Sequence, residues 1–226
     1  MSKMIFELDD TTKSVSVIED KNGLKSEKVI SMEDFISSIV SSIDMGRFKT
    51  VKSPLYKEYK GIRLIQSKQF GPNSHVYILE REKKSAPMQY YSTMYGNVGM
   101  PKLLFGVTVV NDRLTRIHVV AVKDEPVTES TKLYNYLFSN VSGATGSVCT
   151  GMNKFSAGIT EKNRLFEVVN QFFSMANNMT SYRATNNSEG LEFEQLLKYL
   201  DDKEFDDNLL VEKTDITTYG EWFDKL

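Results

Sequence analysis

Cys149 is the only cysteine among 226 residues, and it lies in a glycine-punctuated stretch, Gly143-Ala144-Thr145-Gly146-Ser147-Val148-Cys149-Thr150-Gly151. Cysteine is intrinsically nucleophilic and partly thiolate near neutral pH, so it can accept an acyl group without a strong adjacent base. What helps is an accessible sulfur and a hydrogen-bond donor for the developing oxyanion. Asn140, nine residues earlier, has two open readings: it supplies that donor, or it braces the loop by bonding backbone groups. Backbone amides around Gly151 are further candidate donors, since glycine lets a substrate approach closely.

The surrounding segment, 127–159, is long for a connection without secondary structure, and such loops are usually functional or disordered. Leu133, Tyr134, Tyr136, Leu137, Phe138, Val141, Val148 and Phe155 give it too many large apolar groups for a solvated tether. An ordered loop carrying the sole thiol is therefore expected. Against this stand plainer readings: a lone cysteine is commonly a small buried hydrophobe, and an isolated asparagine is commonly a turn residue. The two histidines, His75 in a turn and His118 mid-strand, have no recognisable dyad context, which disfavours a cysteine hydrolase. Asp124 and Glu125 are near enough in sequence to assist an incoming amine, or are simply solvated. Tyr90, Tyr91 and Tyr95 read as a binding surface or as cover for a sheet. The acidic run from Asp201 to Asp207 reads as a solvated linker.

Composition excludes several classes. The formal net charge is −2 and no block of Lys and Arg is dense enough to track phosphates, so nucleic acid is not an expected partner. No stretch approaches the ~20 apolar residues needed to cross a bilayer, and the first ten residues turn acidic before a signal-peptide core forms. One cysteine cannot form an internal disulfide, which points to a reducing, cytoplasmic setting. One cysteine and two histidines do not make a structural zinc site, so no metal is indicated.

The elements that must position the thiol follow from periodicity. Residues 3–30 read as two or three short strands, with Asn22-Gly23 as a hairpin turn. Ser31 caps a helix from Met32 to Met45, stopped by Gly46. Strands are expected over Gly61–Gln66 and Val76–Glu80, separated by Gly71-Pro72-Asn73. A loop over 83–100 follows, then strands Leu103–Val110 and Leu114–Val122, joined at Asn111-Asp112. Helical pattern resumes at Glu161 with Thr160 as N-cap, again near Ser188, and finally after Thr218 with Trp222 and Phe223. Four sequential strands with polar turns favour an antiparallel meander, with the apolar helix faces packed on one side of it. This is an α+β layout, divided into a β-rich N-terminal elaboration with the first helix (1–50) and a main domain (51–226).

These features resemble ubiquitin-conjugating (E2) enzymes, in which a four-stranded meander leads to a His-Pro-Asn tripeptide and then to a Gly-x-Ile/Val-Cys segment and a helix. Asn140-Val141 followed by Gly146-Ser147-Val148-Cys149 is similar to that arrangement. A closer likeness is to PRTRC system protein B, or prokaryotic E2 family D. The chain has the family's Pro101-Lys102-Leu103-Leu104-Phe105 strand, Pro126 with Thr131-Lys132-Leu133, Phe138-Ser139-Asn140-Val141, Val148-Cys149-Thr150-Gly151, and the aromatic pair Phe172-Phe173. It departs from the E2 pattern in three places. Phe138 and Ser139 replace His and Pro, the spacing to cysteine is one residue longer than usual, and Thr180-Ser181 stands where a Thr-His pair is common.

The resemblance implies an E2 (UBC)-like fold and a transferase carrying a ubiquitin-like protein as a thioester on Cys149, with Asn140 as its helper. It also implies an E1/ThiF-like adenylating enzyme, a ubiquitin-like modifier and a JAB-type metalloprotease as partners, encoded together on bacterial mobile elements. ATP would be spent by the adenylating partner, so the chain needs no cofactor. The altered tripeptide keeps an alternative open: a non-catalytic E2-like adaptor in a plasmid- or defence-associated complex.

Overall fold

The computed structural model describes residues 2–42, 57–143, 145–153, 155, 158–159, 164–179 and 181–226. The chain divides into two compact units, Met1–Ser53 and Pro54–Leu226.

In the first unit, strands β1 (Ser2–Asp9), β2 (Ser14–Lys21) and β3 (Leu24–Ser31) form an antiparallel sheet in that order. Asn22 and Gly23 join β2 to β3 with φ of 54° and 86°. Positive φ at both central residues is what a type I′ turn requires, and asparagine and glycine tolerate it best. The Ser31 hydroxyl accepts the Asp34 N–H at 3.0 Å and so caps helix α1 (Met32–Ser42). The helix lies on the face of the sheet carrying Phe6, Val17 and Ile30, with the Phe6 and Phe35 rings 5.1 Å apart. The expected continuation to Met45 and the Gly46 stop lie outside the described residues.

The second unit is built on a four-stranded antiparallel sheet ordered β4 (Ile62–Gly71), β5 (Ser74–Arg81), β8 (Lys102–Val110), β9 (Arg113–Val122). Asn111 and Asp112 close the last hairpin, again with φ positive at both residues. Between β5 and β8 the chain makes a hairpin, β6 (Ala86–Tyr90) and β7 (Thr93–Val98), where a loop was expected. The turn at Tyr91 lacks the usual Asn-Gly signal, yet Tyr91 adopts φ of 48°. The alternation of buried Ala86 and Met88 with exposed Pro87 was the available sign of a strand. Pro87 is tolerated because β7 is the strand that pairs with β6 and the bridge on the other edge falls at Tyr90, away from Pro87.

Helices cover both faces of the large sheet, not one as expected. Phe105, Val107, Ile117 and Val119 face α2 (Arg164–Ser174) and α3 (Phe193–Leu200), in one core with Phe166, Val169, Phe172 and Phe193. Val76, Ile78, Leu104 and Val120, on the opposite pleat, pack against Tyr219, Trp222 and Phe223 of α4 (Tyr219–Lys225). The run from Leu103 to Val109 is continuously buried, as a strand sandwiched between two layers must be. At Gly106 an added Cβ would lie 3.3 Å from the Trp222 ring and 2.5 Å from Leu226, so the glycine lets α4 approach closely.

The N-caps follow local chemistry. Thr218 and Glu221 form a capping box at α4. Helix α3 starts at Phe193, five residues later than Ser188, because Glu192 is still extended (ψ 156°) and caps the helix reciprocally with Gln195. The Asn187 side chain, bonded to Leu191 N–H at 2.8 Å, holds the intervening turn. Thr160 and Glu161 lie outside the described residues.

Candidate active site

The described residues of the loop bearing Cys149 extend the large sheet. After β9 the chain returns past it: Tyr134 exchanges backbone hydrogen bonds with Ala121, at 2.9 and 3.1 Å. Tyr136, Leu137 and Phe138 then plunge into the core. Asn140 reverses the chain with φ of 67°, a left-handed conformation for which asparagine is among the few suitable residues. The chain next folds back on itself, with Val141 bridged to Val148 and Ser142 N–H bonded to Ser147 O at 2.9 Å.

The returning arm is stitched to the free edge of β9. Val119 N–H donates to Gly146 O at 2.7 Å, and Val148 N–H donates to Ile117 O at 2.9 Å. Gly146 has φ of 74°, and a Cβ there would stand 2.7 Å from Val119 O. Only glycine fits both the conformation and the close approach. Lys213 reaches in from the C-terminal segment and donates its Nζ–H to Gly143 O at 2.6 Å.

Cys149 follows at the end of this arm, exposed and free of any disulfide. Its N–H donates to the Asn140 carbonyl at 2.8 Å, so the two residues singled out from sequence are joined through the backbone. The Asn140 side chain points elsewhere: Nδ2 donates to Ala176 O at 3.0 Å and approaches Asn177 Oδ1 at 3.5 Å. In this state the amide braces the loop against the segment following α2.

The residues at the two altered tripeptide positions are fully buried. Phe138 packs edge-on to Phe193, with centroids 6.5 Å apart, and Ser139 donates its hydroxyl to Asn177 Oδ1 at 2.8 Å. A groove of about 260 Å³ runs beside the cysteine arm, lined by Leu114, Arg116, Val148, Thr150, Asn153 and Phe155 among others.

Among the described residues, no side chain of the other sequence candidates hydrogen-bonds to Cys149. His118 lies on β9 with its backbone bridged to Ser147. Its Nδ1 is buried with no partner among the described residues, and burial, reinforced by Arg116, pushes its pKa below the ordinary histidine value. His75 stacks on Tyr77. Asp124 N–H bonds Asp207, and the Glu125 carbonyl accepts from Lys102. Tyr90 packs edge-on to Phe193 at 4.8 Å, as cover for the core, whereas Tyr91 is exposed. Of the aromatic pair, Phe172 packs on Phe105 and Tyr136, and Phe173 lies under the Arg81 guanidinium at 4.5 Å. Phe172 is a core residue, and Phe173, partly buried, packs against that core. Among the described residues no group of three or more His, Cys, Asp or Glu side chains is arranged to hold a metal ion.

Sequence reasoning did not single out Asn177 or Lys213 as parts of the site. Their partners are distant in the chain, and no local motif marks them.

The prokaryotic E2 family D model matches residues 70–213, a span that contains β5, the inserted hairpin, β8, β9, the cysteine loop, α2 and α3. The chain belongs to this family, which gives it an E2-like role with partners of the E1-like and ubiquitin-like kinds in general. No curated protein and no solved structure gives a significant match. No helix among the described residues is long and apolar enough to cross a membrane.

Proposed function

We propose that this chain is an E2-like transferase that carries a ubiquitin-like protein as a thioester on Cys149. The observation that carries the proposal is the exposed thiol at the end of a hairpin fixed to β9, its N–H bonded to Asn140 O, in a chain of this family. In the loading step the Cys149 sulfur attacks the thioester carbonyl on the adenylating partner. The new sulfur–acyl bond forms as the partner's breaks, the partner's thiolate leaves, and the Cys149 proton passes to it or to solvent. An amine then attacks the new thioester, an amide bond forms and the Cys149 thiol is released.

The groove lined by Leu114, Arg116, Thr150 and Phe155 supports a path for the modifier's C-terminal segment up to the sulfur. Asn140 serves first as the brace of the loop through Ala176 O, and donation to an oxyanion would fall to its second Nδ2 N–H. The sheet β4-β5-β8-β9 with the loop and α2 would be the E2-like core of a domain spanning 51–226, and residues 1–50 a partner-selecting elaboration.

The test combines the chain with its adenylating partner, its modifier and ATP. Wild type should form an adduct released by reductant, and Cys149→Ser should form a reductant-stable oxyester. Absence of any adduct on wild type would overturn the transferase reading and leave a binding module.

A further inference from the structure

Asn177 stands where three segments cross: the cysteine loop, the chain leaving α2, and the β6–β7 hairpin. It is buried. Its backbone N–H donates to Gln89 O at 2.8 Å, and its carbonyl accepts the Tyr91 N–H at 3.1 Å, which pins it to the hairpin from both sides. The side-chain amide is equally committed. Two carbonyls, Gln89 O at 3.3 Å and Met175 O at 3.4 Å, lie on its Nδ2 side. Carbonyls only accept, so this fixes the amide's orientation and directs Oδ1 to the cysteine loop. There Oδ1 accepts from Ser139 Oγ at 2.8 Å and faces Asn140 Nδ2 at 3.5 Å. Both donors and both acceptor positions of the amide are therefore occupied, and a fully satisfied buried polar group specifies one arrangement of its surroundings.

We propose that Asn177 is a positioning residue for the reaction at Cys149. It holds Ser139 and the Asn140 side chain, and the Asn140 carbonyl in turn holds the Cys149 N–H. The proposal rests on the thioester reading for the reaction it serves, while the positioning itself has a readout that needs no partner. Asn177 is buried and acts through Asn140, so its loss changes the rate of the step more than the affinity for the partners.

The experiment compares wild type with Asn177→Ala and with Ser139→Ala, the milder variant that deletes one donor to Oδ1. Amide hydrogen exchange reads the positioning. The Cys149 N–H should exchange on the order of tenfold faster in Asn177→Ala, and faster to a lesser degree in Ser139→Ala. The Val119 and Ala121 amides, bonded to Gly146 O and Tyr134 O, should keep wild-type rates. In loading assays kcat should fall about tenfold or more with KM nearly unchanged, because small misplacements at a reacting centre are costly. Unchanged exchange at Cys149 in both variants would overturn the positioning. So would equal acceleration at Cys149, Val119 and Ala121, which marks a merely structural residue. A wild-type chain that never loads would instead overturn the thioester reading and the reaction's part of the proposal, and exchange would show that separately.

Discussion

Asn140 and Cys149 are joined by a 2.8 Å hydrogen bond from the Cys149 N–H to the Asn140 carbonyl. It closes a hairpin in which Asn140 also supplies the left-handed turn and, through its side chain, the tie to Ala176. One residue thus has a conformational duty and a hydrogen-bonding duty, and substitution can separate them.

Glycine at position 140 keeps the φ of 67° without strain, whereas alanine there should cost about 1 to 2 kcal/mol. Both remove the amide. Asn140→Ala should therefore melt below Asn140→Gly, while both lose thioester transfer to a similar extent if the side chain is what matters. Thermal denaturation beside a loading assay checks this. Full transfer by Asn140→Gly would show that only the turn is needed.

Gly146→Ala places a Cβ 2.7 Å from Val119 O in a positive-φ conformation. The arm carrying Cys149 should lift from β9, at a cost of about 1 to 3 kcal/mol. Cys149 alkylation kinetics and the Val119 amide exchange rate should both change. Identical behaviour to wild type would mean that the arm is not anchored there.

The lowered pKa of His118 makes a signed prediction. Burial favours the neutral ring in the folded state, so near and below about pH 6.5 the unfolded chain binds more protons than the folded one. The stabilisation is fully present above the unfolded pKa and is lost as pH falls toward the depressed folded value. Wild type should lose more stability than His118→Leu between pH 7.5 and 5.5. Denaturant midpoints at the two pH values measure the difference, and equal losses would contradict it.

Glu80 and Lys102 are both buried, with Glu80 Oε2 3.4 Å from Lys102 Nζ in a contact lacking hydrogen-bond geometry. Arg63 bonds the other carboxylate oxygen at 2.7 Å from a half-exposed position. Glu80→Leu should destabilise by about 3 to 5 kcal/mol, since it strands the lysine charge. Adding Lys102→Met should restore much of that loss, as a chemical denaturation cycle would show. An additive double variant would mean that the two charges do not interact.

Much of this protein was legible in its residues. Asn22-Gly23 and Asn111-Asp112 announced their hairpins, Ser31 and Thr218 their helix caps, and the lone cysteine in a glycine-rich loop its candidate chemistry. These signals are local: each depends on the conformational or hydrogen-bonding preference of a few adjacent residues. The second helical layer and the cysteine's surroundings depended on partners far along the chain. Nothing near Asn177 in sequence predicts that it meets Ser139 and Gln89, and nothing near Gly146 predicts Val119. Sequence singled out Cys149 as the candidate nucleophile. Tertiary packing decided what holds it, because a buried polar group takes its partners from whatever the fold brings within reach.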